Sequence, residues 1–317
     1  MDLNYLLFLQ ELRNSLPEGV AIFLKLMSDL VVSPLFIIIP CILFWCIDKR
    51  RATVVLFSFS IGALVNELLK TTFCTLRPWV RDARIEPYGD AKLTATGYSF
   101  PSGHVQAATS IVGTIGWAYR DKSRWTVPLA AILVLLVAFS RNFLGVHTPQ
   151  DVVVSLVVSF LVVLLAERVV SWVEEEEERD AKLTAAAIAF GLLGLAYIAF
   201  KPYPELPAEM PDGVTVSELI NDSFQACGYF LGCFASWLAE RRLVGFKTSC
   251  DLKQGVVRVI IGIVLTLLFH SLLPIPVEHL FGEAAFEFCK AFFTIFAVVF
   301  LTPWAFTKVE KAGEKND

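Results

Sequence analysis

Charge is scarce in this 317-residue sequence, and histidine scarcer. Asp, Glu, Lys and Arg together supply 18% of residues against 56% hydrophobic, with four histidines in all. A mean hydropathy of +0.62 sets the chain apart from soluble domains, in which about a quarter of residues are charged. There is no basic surplus: the net charge of −4 removes any reason to expect nucleic acid. The seven cysteines (41, 46, 74, 227, 233, 250 and 289) show neither a CxxC pair nor Cys/His metal spacing. Most lie in apolar runs and read as small buried hydrophobes, so they do not fix the redox compartment. No carboxylate cluster suggests a metal. No cleavable signal peptide is expected, because the first 30 residues carry Glu11, Glu18, Lys25 and Asp29 among the apolars. No internal repeat is evident.

What remains is apolar sequence broken by short charged segments, the pattern of a polytopic membrane protein. Spans are expected near 31–47, 52–70, 102–119, 125–141, 150–168, 184–200, 220–239, 256–272 and 283–305. Several of these, such as Val152 to Ala166, reach the ~20 residues a bilayer needs only with their polar ends included. Residues 1–30 read instead as two amphipathic interfacial helices separated at Pro17, with Lys25 and Asp29 paired one turn apart. The expected fold is therefore all-α, a bundle of about nine transmembrane helices preceded by interfacial helices. Basic residues in alternate breaks set the orientation. One set, from Lys49-Arg50-Arg51 to the C-terminal tail, holds 17 of the 27 lysines and arginines. That set is expected to be cytoplasmic, leaving the N-terminus outside and the C-terminus inside.

The stretch from Lys70 to Asp151 concentrates the costly groups. It reads Lys70, six residues, Arg77-Pro78; then Pro101-Ser102-Gly103-His104; then Ser140-Arg141, five residues, His147, three residues, Asp151. Ionisable groups in or near a bilayer are functional candidates. Lys70, Arg77 and Arg141 can hold a phosphate, the arginines by forked donation. His147 can attack phosphorus, His104 can protonate a leaving oxygen, and Asp151 can orient a histidine through its other ring nitrogen. Lys70 ends the second span, His104 opens the third, Arg141 ends the fourth and Asp151 opens the fifth, so all fall on one side of the membrane. Ser102 is expected to cap a helix with Gly103 just inside it, and Thr148-Pro149 to start the fifth span with Asp151 in its first turn.

These three spaced motifs resemble the signature of the type 2 phosphatidic acid phosphatase (PAP2) superfamily, K-x6-RP, PSGH and SR-x5-H-x3-D, met at every position. The resemblance covers roughly the first half of the chain. It implies a metal-independent, cofactor-free phosphatase in which His147 forms a phosphohistidine while His104 serves as acid and then base. Lys70, Arg77, Ser102, Gly103 and Arg141 would hold the phosphoryl oxygens. With the span pattern, it leaves interfacial helices (1–30), a PAP2-like catalytic core (31–172) and a C-terminal four-helix extension (173–317) that the resemblance does not cover. A site at the outer interface suits a lipid phosphate or diphosphate: phosphatidic acid, phosphatidylglycerol phosphate, a sphingoid phosphate or a polyprenyl diphosphate. A glucose-6-phosphatase-like sugar phosphatase, a lipid phosphotransferase and a non-catalytic lipid-binding or transport protein are the alternatives. The expected setting is a bacterial plasma membrane. Oligomeric state is not encoded legibly.

Other residues carry weaker signals. Glu67, one turn before Lys70, is placed to pair with it. Arg81 and Arg84 read as solvated loop cations, and Trp79 and Tyr98 as pocket flanks or interfacial aromatics. His270 and His279 fit no motif. The Pro-rich segment Lys201–Ser217 reads as a stiff connector, and Glu287 and Lys290 as a pair within the last span. Ala185–Ala187, Gly191 and Gly194 form a small-residue stripe suited to close helix packing.

Overall fold

In the computed structural model, which describes residues 2–206, 215–272 and 275–313, helix dominates and no strand occurs among the described residues. Two helices, α1 (Asp2–Ser15) and α2 (Glu18–Leu30), precede the bundle and break at Pro17 as the sequence predicts. They dock on the end of α8 (Thr126–Phe143) and on the long loop after α4 (Lys49–Phe73). Arg13 donates to the carbonyls of Phe143 (3.1 Å) and Glu86 (2.8 Å), while Phe8, Phe23 and Leu26 stay exposed. Lys25 pairs with Asp29 at 2.7 Å and also with Asp90 at 2.8 Å.

Each expected span coincides with helix. α3 (Pro34–Ile42) continues through a π-helical turn to Ile47, and α4 follows, capped by Asp48. After the short α5 (Pro78–Arg81) and a loop come α6 (Gly103–Ala108), a π-helical turn and α7 (Thr114–Ala118). Then run α8, α9 (Pro149–Glu174), α10 (Arg179–Phe200), α11 (Val216–Ala239) and α12 (Leu252–Ser271). The chain closes with α13 (Ile275–Phe281), α14 (Glu283–Phe296), a π-helical turn and α15 (Thr302–Gly313).

Among the described residues six helices are long and apolar enough to cross a membrane: Lys49–Arg81, α8, α9, α10, α12 and Glu283–Ala312. The count of nine is not reached by this measure, for physical reasons. The stretches 34–47 and 103–118 are short, and α11 carries Glu218, Asn221, Asp222 and Gln225 in its first turns. Leu161, Leu193, Phe200 and Leu267 on the long helices are exposed, the inverse of a soluble protein's surface. The chain is an integral membrane protein.

Close packing holds the C-terminal helices together, and Trp45 and Lys49 tie them to the first half. A Cβ on Gly228 or Gly232 would lie 2.2 Å from the Phe288 carbonyl or 2.8 Å from that of Phe292, so only glycine lets α11 approach the α14 backbone this closely. Of the predicted stripe, Gly191 is similarly confined, since a Cβ there would meet Leu231 at 2.6 Å, whereas one on Gly194 would make only ordinary contacts at 3.6 Å. Trp45, fully buried, donates to the Val298 carbonyl at 2.8 Å. At the end of the bundle away from Lys70, Lys49 pairs with buried Glu240 (2.6 Å) and Arg258 with Glu310 (2.8 Å). All seven cysteines are free. Pro202 and Pro204 lie in non-helical chain, whereas Pro207 and Pro211 fall outside the described residues.

Candidate active site

The start of α9 organises the site. Pro149 occupies the first helical position, where its fixed φ and missing N–H cost nothing, and Thr148 is the N-cap. The Thr148 hydroxyl accepts from the Asp151 amide (3.4 Å) and Asp151 Oδ2 accepts from the Thr148 amide (2.8 Å), a complete capping box. The same Oδ2 accepts from the Ser99 hydroxyl at 2.6 Å and faces His147 Nδ1 at 3.4 Å. The other ring nitrogen, Nε2, lies 2.9 Å from Arg77 Nη1. Guanidinium only donates, so Nε2 carries the lone pair and Nδ1 the proton directed at Asp151. Burial, and after it the Arg77 charge, push the His147 pKa down to about 3, so the ring is neutral at pH 7. The Asn142 amide fixes the ring's backbone by donating to the His147 carbonyl at 2.9 Å. Gly145, at φ +75°, makes the turn that joins α8 to this segment.

Arg77 arrives from the opposite direction. α4 ends at Cys74, which adopts the left-handed conformation (φ 47°) and turns the chain back over the helix. The Arg77 guanidinium is then encircled by carbonyls, donating to Thr96, to Gly97 (3.1 Å) and to Val146 (3.3 Å). Lys70 Nζ pairs with Glu67 Oε1 at 2.6 Å, both side chains being nearly buried. Gly103 leaves room beside this ammonium, since a Cβ there would stand 3.7 Å from Lys70 Nζ.

Ser102 occupies the N-cap position of α6, but its hydroxyl makes no capping bond, contrary to expectation. Its backbone holds it instead. The amide donates to the Asp151 carbonyl (3.1 Å), and the carbonyl accepts from the Gln106 amide (3.1 Å) and the Ser155 hydroxyl (2.7 Å). Arg141 is fully buried and donates from Nη1 to Ser28 of α2 at 2.7 Å. Ser102 Oγ, His104 Nε2 and Arg141 Nε and Nη2 are buried without hydrogen-bond partners among the described residues. Buried polar atoms are normally satisfied, so four in one set of helix ends amount to unused capacity of the kind a multi-oxygen anion takes up.

A cavity of about 280 Å³ opens beside these groups. Of the eight residues singled out from the sequence, Lys70, Arg77, Gly103, His104 and His147 line it, and Ser102, Arg141 and Asp151 do not. The structure thus brings together the four helix ends on which they lie. The cavity also runs along α4 from Lys70 past Ala63 to Phe59, eleven residues or about 16 Å at ~1.5 Å per residue. Here the wall is mostly apolar, with Val31, Val32, Ile37, Phe59, Ala63, Ala107 and Ala226, and the polar Asn66 and Gln106 also face it. α11 adds Asp222, Gln225 and Tyr229, which no motif announces.

Sequence reasoning missed Ser28, Thr96, Ser99 and Asp222; Glu67 alone carried a signal, its helical spacing from Lys70. The secondary candidates lie elsewhere. Arg81 pairs with Asp2 (3.0 Å) and exposed Arg84 with Asp82 (2.7 Å). Tyr98 is buried, and Trp79 packs near the Arg77 guanidinium. His270 contacts Thr294 at 3.1 Å, His279 is exposed, and neither lines the cavity. Glu287 and Lys290 do pair, and Gln225 donates to Glu287 at 2.8 Å.

Fold and site together define an all-helical integral membrane protein whose helix ends converge on a basic, histidine-bearing cavity. The chain belongs to the PAP2 superfamily: residues 51–175 match the superfamily domain, and residues 224–314 match the transmembrane extension of PAP2 superfamily phosphatases. It is 29% identical over 121 residues to an undecaprenyl-diphosphatase of Sulfolobus acidocaldarius, covering 37% of this chain and 56% of the relative. It is 33% identical over 72 residues to phosphatidylglycerophosphatase B of Escherichia coli K12, covering 22% and 28%. The matched region is thus little more than half of the first relative and under a third of the second. No solved structure matches.

Proposed function

We propose that this protein is a metal-independent phosphatase of membrane lipids, hydrolysing a lipid phosphate or diphosphate through a phosphohistidine at His147. The observation that supports this most directly is the continuity of the cavity. Its basic, histidine-bearing end belongs to the same cavity as a mostly apolar arm along α4. A head-group phosphate and the first part of an acyl or isoprenoid chain fit such a lining, whereas a sugar phosphate would leave the apolar arm without a partner.

In this reading Arg77 turns its Nη1 from His147 Nε2 to a phosphoryl oxygen, which frees the Nε2 lone pair to attack phosphorus in line, and the positive charge growing on the ring is met by Asp151. Lys70, Arg77 and Arg141, with Ser102 and Gly103, take the phosphoryl oxygens and their transition-state charge. His104 gives its proton to the departing lipid oxygen. It then takes one from the water that cleaves the N–P bond, releasing phosphate and restoring both histidines. The positive-inside pattern supports an extracytoplasmic site, reached by lipids of the outer leaflet. The relatives' names, undecaprenyl-diphosphatase and phosphatidylglycerophosphatase B, agree with a lipid-linked phosphate without choosing between mono- and diphosphate.

The test is phosphate release by detergent-purified protein in EDTA from phosphatidic acid, phosphatidylglycerol phosphate, undecaprenyl diphosphate, sphingosine phosphate and glucose 6-phosphate, beside His147→Ala. Release from a lipid, abolished by the substitution, is expected. Preference for glucose 6-phosphate would overturn the lipid assignment, and undiminished turnover by the variant would overturn the phosphohistidine.

A further inference from the structure

The extension reaches the phosphate-binding residues through two hydrogen-bond chains, both starting on α11. In the first, Asp222 Oδ2 accepts from the Thr96 hydroxyl at 2.6 Å, and the carbonyl of the same Thr96 accepts from Arg77 Nη2. Arg77 in turn meets His147 Nε2 at 2.9 Å. In the second, the Ser223 hydroxyl donates to Glu67 Oε2 at 3.0 Å, and Glu67 Oε1 holds Lys70 at 2.6 Å. A third contact presses the loop to the helix: Gly97, at φ +64°, would place a Cβ 3.0 Å from the Leu219 carbonyl. Adjacent residues on one helix are thus linked by hydrogen bonds to the two cations that line the cavity from α4 and the loop after it.

We infer that α11 is a positioning element of the active site. In this role Asp222 and Ser223 set the placement of Arg77 and Lys70 for the phosphoryl group, so that the extension and the catalytic core form one functional unit. The inference rests on the phosphate-binding reading above. Neither Asp222 nor Ser223 needs to touch the reacting atoms. Asp222 acts through a loop carbonyl, which its bond to Thr96 keeps turned toward the guanidinium. Ser223 acts by holding one oxygen of Glu67 so that the other stays on Lys70. Releasing either chain lets a cation relax, and an error near 1 Å in a positioning group costs up to about a hundredfold in rate.

The experiment uses the full chain in detergent, reading kcat and KM on dioleoyl phosphatidic acid and the inhibition constant of inorganic phosphate. Asp222→Ala and Ser223→Ala should each raise the phosphate constant and lower kcat/KM by about tenfold. Asp222→Asn keeps an oxygen to accept from Thr96 and should recover most of the loss. Thr96→Val breaks the same bond from the loop side and leaves α11 intact. It should match Asp222→Ala, and the double variant should be no worse than either single one. Glu218→Gln, which weakens the capping box at the start of α11 without touching either chain, controls for helix stability alone. Phosphate affinity within twofold of wild type in Thr96→Val and Ser223→Ala would overturn the inference, as would an equal loss in Glu218→Gln. Should the unaltered protein release phosphate from no lipid, the proposed function falls; equilibrium binding of radiolabelled phosphate by the same variants then tests the positioning, with the same criteria.

Discussion

Replacing Asp151 with asparagine isolates the charge at the centre of the site. Asparagine keeps the shape and can still turn an oxygen toward the Ser99 hydroxyl and the Thr148 amide, which approach at 2.6 and 2.8 Å. What it removes is the negative charge 3.4 Å from His147 Nδ1. At an effective dielectric of about 20, a unit charge pair at that distance interacts by roughly 5 kcal/mol. In the proposed reaction the ring gains roughly half a unit of charge at the transition state, so about 2.5 kcal/mol of differential stabilisation is lost. That corresponds to a fall of roughly 10² in kcat, at about 1.4 kcal/mol per tenfold. KM should change little, because the ground-state ring is neutral. The assay is initial-rate phosphate release at saturating lipid in mixed micelles, alongside thermal unfolding of the same preparations. Unfolding should shift only modestly, since weakening an N-cap costs about 1 kcal/mol. A kcat within threefold of wild type would refute the electrostatic role given to Asp151.

Arg77→Lys should cost at least a hundredfold in kcat/KM although charge is conserved: one ammonium, with three protons, cannot donate to the Thr96, Gly97 and Val146 carbonyls and a phosphate oxygen together, and activity within fivefold of wild type would contradict this. Ala63→Phe should block the apolar arm, cutting turnover of dioleoyl phosphatidic acid by about tenfold or more while sparing that of a short soluble phosphate ester, and equal losses on both would count against tail binding. The buried neutral His147, with its pKa lowered to about 3, leaves the unfolded chain binding one more proton below about pH 6.5. Stability should therefore be whole above pH 6.5 and fall by up to about 1.4 kcal/mol per unit as the pH drops toward 3. His147→Gln should flatten that slope when unfolding midpoints are followed from pH 7.5 to 4.5, and an unchanged slope would assign the acid sensitivity to another group.

The catalytic candidates were legible because charged and polar residues stand out against an apolar background at fixed spacing. Thr148-Pro149-x-Asp151 was doubly readable, as a helix start and as a histidine partner, and both readings hold in the geometry. Ser28, Ser99 and Ser223 were not. A serine inside an apolar helix or a loop carries no pattern, and its importance comes from tertiary contact with Arg141, Asp151 or Glu67. Asp222 was hidden for a related reason: its partner Thr96 lies 126 residues away in a loop without periodicity. The helix boundaries were recoverable, but the number of full-length spans was not. The short stretches 34–47 and 103–118 and the polar start of α11 are helical because they pack against neighbours and the cavity, which local hydropathy does not report. The unfulfilled cap at Ser102 is tertiary in origin as well, since Asp151 and Ser155 hold its backbone from a different helix.

Because one carboxylate oxygen both closes the first turn of α9 and faces the His147 ring, local opening at that turn and loss of ring alignment are a single event. Fraying of a helix end ordinarily costs little free energy and happens often. Here it would also release Ser99 from Asp151, and with it a bond that ties the long loop to the helix. The amide proton of Thr148, which points at that oxygen, is therefore a reporter: its exchange with solvent deuterium counts the openings in which the imidazole is left unaligned.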